Sequence, residues 1–135
     1  PDSQEPIPRI DDSTKGSARI LLVDDEPMIL NVSASILENL GYTVEKCRDG
    51  CEAVEYYKKH WRGIDLIILD MIMPVLDGAN TFNKMKKINP DLIVLLSSGY
   101  SIDSEARDVI NKGAKDFIQK PFRGSELAHK IAELL

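Results

Sequence analysis

Only two cysteines occur in the sequence, Cys47 and Cys51, too few for a disulfide framework, and a reducing cytoplasm is the expected compartment. Long hydrophobic runs are missing as well: the longest purely aliphatic stretch, Leu92 to Leu96, falls far short of the roughly 20 residues that span a bilayer. The chain does not open on a basic segment followed by an apolar one, so nothing marks it for secretion. Positive charge is not in excess. Against 17 Lys and Arg stand 22 Asp and Glu, a net charge of -5, the wrong sign for nonspecific attraction to nucleic acid or an anionic membrane. Neither a phosphate loop with a Walker lysine nor a dinucleotide fingerprint is present. What is there is an ordinary composition for one soluble domain, 43% hydrophobic and 29% charged over 135 residues, enough to bury a core.

The first 17 residues hold three of the seven prolines and, apart from Ile7 and Ile10, almost no aliphatic side chains, so residues 1–17 read as a flexible linker or tail ahead of a domain over 18–135. A start at Pro rather than Met suggests a piece of something longer. From Ala18 onward short apolar runs alternate with amphipathic stretches. The runs are Ile20 to Val23, Tyr42 to Cys47, Leu66 to Leu69, Leu92 to Leu96 and Asp116 to Gln119. Three of them are continuously apolar, as strands buried on both faces of a parallel sheet require. The first helix begins near Pro27, with Ile29, Val32, Ile36 and Leu40 at helical spacing and Gly41 as its left-handed stop. Others are expected over Gly50 to His60 (Ala53, Val54 and Tyr57 inward), Gly78 to Ile88 (Phe82, Met85 and Ile88 inward, stopped at Asn89-Pro90), Ser104 to Lys112, and from Ser125 onward. Five strand-helix units imply right-handed crossovers and an α/β, doubly wound parallel sheet, whose ligands gather at the carboxyl ends of the strands.

Those ends are polar in a concerted way. Strand one finishes in Asp24-Asp25-Glu26, strand three in Asp70, strand four in Ser97-Ser98-Gly99 and strand five in Lys120-Pro121. The Asp-Asp pair alone could be a solvated turn that caps a helix; its convergence with Asp70 and Lys120 at one rim is the signal. Two like charges about 4 Å apart repel by about 4 kcal/mol at an effective dielectric of 20, so such a cluster calls for a hard divalent cation, and Mg2+ fits an all-oxygen site. Lys120 could hold an oxygen of an incoming phosphoryl group, and one carboxylate could attack phosphorus to form an acyl phosphate.

The stretches Ile20-Leu21-Leu22-Val23-Asp24-Asp25-Glu26, Leu69 to Gly78, Leu96-Ser97-Ser98-Gly99 and Phe117 to Phe122, in this order and at these separations, resemble the receiver domain of two-component response regulators over about Arg19 to Leu135. The resemblance implies a five-stranded, flavodoxin-like sheet of order 2-1-3-4-5. It implies that Asp70 accepts the phosphoryl group, that Asp25 and Asp70 ligate Mg2+ directly and Asp24 through water, and that the Ile72 carbonyl completes the metal's protein ligands. Lys120 would contact phosphoryl oxygens; Ser98 and Phe117 would move together as the switch. The implied partners are a histidine kinase or histidine phosphotransfer domain and a downstream protein, with no direct binding of nucleic acid or membrane; a phosphorylation-dependent homodimer is left open. Such a domain catalyses its own phosphorylation and dephosphorylation and little else. The Leu96-Ser97-Ser98-Gly99-Tyr100-Ser101 stretch looks like receivers fused to hybrid sensor histidine kinases.

Where the pattern departs from its commonest form, Ser98 replaces a frequent Thr, Phe117 lacks a phenol hydroxyl, and Ile72 and Tyr100 offer bulk that would obstruct hydrolytic water and prolong the acyl phosphate. An aspartate-nucleophile phosphatase is the rival enzyme reading, but its usual second acid would fall at Ile72. A degenerate receiver or flavin-type module that only docks partners is the rival binding reading. Asp77-Gly78 reads as a turn and helix start, and Lys120-Pro121 as a turn with a cis bond within reach. Cys47 and Cys51 read as buried small apolar residues ahead of metal or redox groups, His60 as a cation suited to a helix end, His129 as an isolated helix residue, and Lys84 to Lys87 as a solvated helix face, with partner contact the lesser alternative.

Overall fold

The computed structural model describes residues 18–99 and 104–135; the expected linker over 1–17 and the expected lifetime residue Tyr100 lie outside them. The elements are β1 (Arg19–Val23), α1 (Pro27–Asn39), β2 (Thr43–Cys47), α2 (Gly50–His60), a 3-10 turn (Trp61–Gly63), β3 (Leu66–Asp70), α3 (Gly78–Ile88), β4 (Val94–Ser98), α4 (Ser104–Asn111), β5 (Asp116–Gln119) and α5 (Gly124–Leu134). All four strand pairings are parallel and the order is β2-β1-β3-β4-β5, the doubly wound, flavodoxin-like arrangement the sequence implies. Among the described residues no helix is long and apolar enough to cross a membrane.

Alternation along the three central strands builds two core layers. Leu21, Val23, Ile67, Leu69, Val94 and Leu96 face one way, toward Val54, Phe82, Met85 and Val109 of α2, α3 and α4. Ile20, Leu22, Leu66, Ile68 and Leu95 face the other, toward Leu30 and Leu37 of α1 and Leu127 and Ile131 of α5. The edge strand β2 is exposed at Thr43 and Lys46, which is why its sequence is mixed where β1, β3 and β4 are uniformly apolar.

Several boundaries move. Leu92 is buried but precedes the ladder, its N–H turned back to the Asn89 carbonyl, so β4 begins at Val94. Strand β2 starts at Thr43, helix α4 ends at Asn111, and α5 starts one residue early, at Gly124. The larger correction concerns the buried face of α1. Leu30, Ser33, Ala34 and Leu37 pack on the sheet, while Val32 is 55% exposed and Ile29, Ile36 and Leu40 are only half-buried. The true face lies about 100° around the helix from the expected one, a single residue step, because small Ser33 and Ala34 let the helix approach the sheet closely. Gly41, at φ +99°, turns the chain out of α1 into β2 as expected.

An acidic cleft at the carboxyl ends of the strands

Each polar residue of the cleft is carried there by a strand end. The Asp24 N–H donates to the Cys47 carbonyl, prolonging the β1–β2 ladder by one residue and fixing Asp24 at its tip. The next residues turn at once: the Glu26 N–H donates to Asp24 Oδ1, and Pro27 opens α1, where its missing N–H has no cost. Asp70 is the last residue of β3, opposite Ser97 of β4, and the Met71 N–H continues that pairing to the Ser97 carbonyl. The Lys120 N–H donates to the Ser98 carbonyl at 2.7 Å, so β5 delivers Lys120 beside β4. The Lys120-Pro121 bond is cis.

The loop after Asp70 is held hard against the strand. The Gly78 N–H donates to the Met71 carbonyl, and a Cβ built at Gly78 would lie 2.6 Å from both the Asp70 carbonyl oxygen and the Met71 Cα. Only glycine lets α3 start there. Asp77 caps that helix by accepting from the Asn80 N–H, as its sequence suggested. Between them Val75 sits at φ +69° while the Leu76 N–H donates to the Pro74 carbonyl at 2.8 Å, a γ-turn of the rare positive-φ kind. For a β-branched residue this backbone is strained, and its side chain is 93% exposed.

Asp24, Asp25 and Asp70 each present a carboxylate oxygen within 4.8 Å of the others. Asp24 and Asp70 are almost fully buried and Asp25 is half-buried. Lys120, itself buried, places Nζ 3.1 Å from Asp24 Oδ2, 3.3 Å from Asp70 Oδ1 and 3.6 Å from Glu26 Oε1. Burial, and then the charge of Asp24, push the Asp70 carboxyl up to about 7, against the opposing pull of Lys120 and the Ile72 N–H. Burial by itself would lower Lys120; the Asp70 and Asp24 charges outweigh it and the ammonium is held above its ordinary range. One ammonium among three carboxylates leaves an acidic excess, which suits a divalent cation bound through oxygen. Both Asp24 oxygens already accept hydrogen bonds, from the Glu26 N–H and from Lys120.

The cleft, about 610 Å³, is lined by Asp25, Asp70, Lys120, Ile72, Glu26, Ile29, Gly99 and Pro121. The structure thus brings Asp24, Asp25, Asp70, Lys120 and Ile72 together. Ser98 is buried at the tip of β4, and Phe117 is half-buried in β5, packed against the core layer under α2, α3 and α4. Ile29, expected on the apolar face of the first helix, instead lines the cleft, and Glu26, one of the three acids that finish strand one, reaches Lys120. The acid that a phosphatase would place two residues after its nucleophile is absent, since Ile72 occupies that position, 53% exposed. The two cysteines part company: Cys47 is buried as expected, but Cys51 is exposed on the outer side of α2, where the helix turns it away from the core.

The family model of the response regulator receiver domain matches residues 20–132. Over 118 residues the chain is 35% identical to the chemotaxis protein CheY of Bacillus subtilis, covering 87% of this chain and 97% of that protein. It is 33% identical over 120 residues to the sensor kinase CckA of Brucella abortus, covering 89% of this chain but only 13% of the kinase. Among solved structures, CheY in the CheX-CheY-BeF3-Mg complex of Borrelia burgdorferi superposes with a TM-score of 0.83 at 28% identity, covering 87% of this chain and 88% of that one. With the strand order and the strand-end residues already described, these matches establish that the chain belongs to the response regulator receiver domain family of two-component signalling.

Proposed function

We propose that this domain is a phosphorylation-dependent switch that takes a phosphoryl group from a phosphohistidine onto Asp70 with Mg2+. The observation that carries the reading is the meeting of Asp24, Asp25 and Asp70 within 4.8 Å, with Lys120 Nζ 3.3 Å from Asp70. Asp25, Asp70 and the Ile72 carbonyl would hold the metal directly; Asp24, with both oxygens engaged, would act through water. Bound there, Mg2+ would keep Asp70 ionised and offset charge on the transferring group.

The chain's own groups supply orientation. Asp70 Oδ1 is held by Lys120 and the Ile72 N–H, leaving Oδ2 to attack phosphorus. The O–P bond forms as the P–N bond breaks, and the imidazole departs with that electron pair. Lys120 is within reach of a phosphoryl oxygen and matches its charge. The product adds about -1.5 to -2 charge beside the buried ends of β4 and β5, and Ser98 with Phe117 would convert that charge into a repacked surface for a downstream protein.

A protein donor suits the surroundings. An adjoining groove shares Ile29, Lys120 and Pro121 with the cleft and adds Met28 and Val32, 78% and 55% exposed. Apolar surface next to an acidic reaction centre favours docking of a histidine kinase or phosphotransfer domain over capture of free phosphate. The similarity to a sensor kinase, of which the chain spans only 13%, favours a receiver over 18–135 that belongs to a longer signalling protein. The test is incubation with acetyl phosphate and Mg2+ followed by intact mass. An adduct of one phosphate that disappears in Asp70→Asn supports the switch; steady hydrolysis of varied phosphomonoesters, or no adduct, refutes it.

A further inference from the structure

Helices α2 and α3 enclose a second concavity, about 480 Å³, that shares no lining residue with the acidic cleft. Its floor is apolar, made by Val54 of α2, Leu76 of the loop before α3 and Ile88 of α3. Lys84 and Lys87 stand on its rim, three residues apart and so on one face of α3. Across the groove Lys58 is already paired with Glu55 at 3.2 Å, whereas among the described residues neither Lys84 nor Lys87 has an ion-pair partner. In a chain of net charge -5, two ammoniums without an ion-pair partner among the described residues, beside an apolar floor, are a local reversal of sign.

We propose that this groove docks an acidic amphipathic helix of a partner protein. The groove is open to solvent, so it would accept the face of a helix more readily than it would enclose a small molecule. Apolar anchors at i, i+4 and i+7 would lie over Val54, Leu76 and Ile88, and a flanking carboxylate would meet Lys84 and Lys87. The charge on the rim selects an acidic helix over a basic one. This docking does not rest on phosphorylation of Asp70, and its success or failure is read independently of that reaction.

Cys51, exposed at the groove's edge, is a built-in reporter. Cys47 is buried and its thiol is pushed up to about 12 by burial and neighbouring acids, so alkylating reagents reach Cys51. The experiment follows alkylation of the full chain by iodoacetamide, by intact mass. The probe is a peptide of about 15 residues with Leu at i, i+4 and i+7 flanked by Glu; a counterpart carries Lys in place of Glu. The Glu peptide is expected to protect Cys51 and the Lys peptide to bind roughly 10-fold more weakly, two exposed charge pairs' worth. In the doubly reversed variant Lys84→Glu, Lys87→Glu, both sites being exposed and checked for folding by circular dichroism, that preference inverts. Absence of protection at saturating Glu peptide, equal protection by both peptides, or no inversion in the variant overturns the proposal.

Discussion

Replacing Asp70 by Asn is expected to stabilise the metal-free protein at and above neutral pH. The cluster is crowded: three carboxylates share a space of 4.8 Å, two of them buried, with one ammonium among them. Burial and the Asp24 charge raise the Asp70 carboxyl from 3.8 to about 7 in the folded protein. Between those values the native state holds a proton that the unfolded chain releases, so stability falls as pH rises; the contribution is fully present below about pH 4 and gone above about 7. At about 1.4 kcal/mol per pH unit, the penalty on the ionised form reaches about 4 kcal/mol at pH 8. Asn escapes it. The amide oxygen keeps the Ile72 N–H as a donor, and Lys120 retains Asp24 at 3.1 Å and Glu26 at 3.6 Å, so no buried charge is orphaned.

Urea unfolding in EDTA, at half-unit steps from pH 4.5 to 8, reads the difference directly. The variant's advantage should be about 1 kcal/mol near pH 4.5, climb to about 2–4 kcal/mol by pH 7 and stay level beyond it. Adding Mg2+ should stabilise the parent protein more than the variant, closing the gap. A variant less stable than its parent at pH 8 without metal, or an advantage independent of pH, would refute the account of the cluster.

Three further substitutions probe the neighbourhood. Val75→Gly removes a β-branched side chain from φ +69° and should raise stability by about 1 kcal/mol in chemical denaturation, with labelling by acetyl phosphate intact; a loss of stability contradicts the strain assigned to the γ-turn. Gly78→Ala would press a methyl group to within 2.6 Å of the Asp70 carbonyl; it should cost about 1–3 kcal/mol and slow acyl-phosphate formation, and an unchanged melting temperature would show that α3 can shift cheaply. Ile72→Asn replaces bulk at the cleft by a group that can orient water, so the half-life of phosphorylated protein should shorten; an unchanged or longer half-life in a phosphate-release assay defeats the screening role given to Ile72.

The cleft was legible from the sequence because a doubly wound sheet sends its strand ends to the same rim, and Asp24, Asp70 and the Ser97-Ser98 pair each follow an apolar run that marks its strand, while Lys120 follows the shorter, mixed strand β5. Helix α1 was not legible to the same degree. Its sequence is apolar over more than half its circumference, so spacing admits two adjacent faces, and only packing against the sheet shows that Ser33 and Ala34 are inside and Ile29 lines the cleft. The strain at Val75 and the exposure of Cys51 depend on a loop's backbone and a helix's rotation, which residue identity does not encode. The rim of Lys84 and Lys87 read as a solvated face because the apolar floor beside it is assembled from Val54, Leu76 and Ile88, residues distant along the chain.

The ion pair that closes the cleft joins Lys120 to Asp24, 96 positions apart, with Asp70 between them in sequence and in space. No partial chain can assemble it: a polypeptide cut short before β5 offers Asp70 without its ammonium, and one whose first strand has come loose offers it without Asp24 and Asp25. If the cleft performs the proposed transfer, that chemistry doubles as a check on integrity, since a truncated or half-folded copy lacks part of the cluster that Lys120, Asp24 and Asp70 form only in the complete fold.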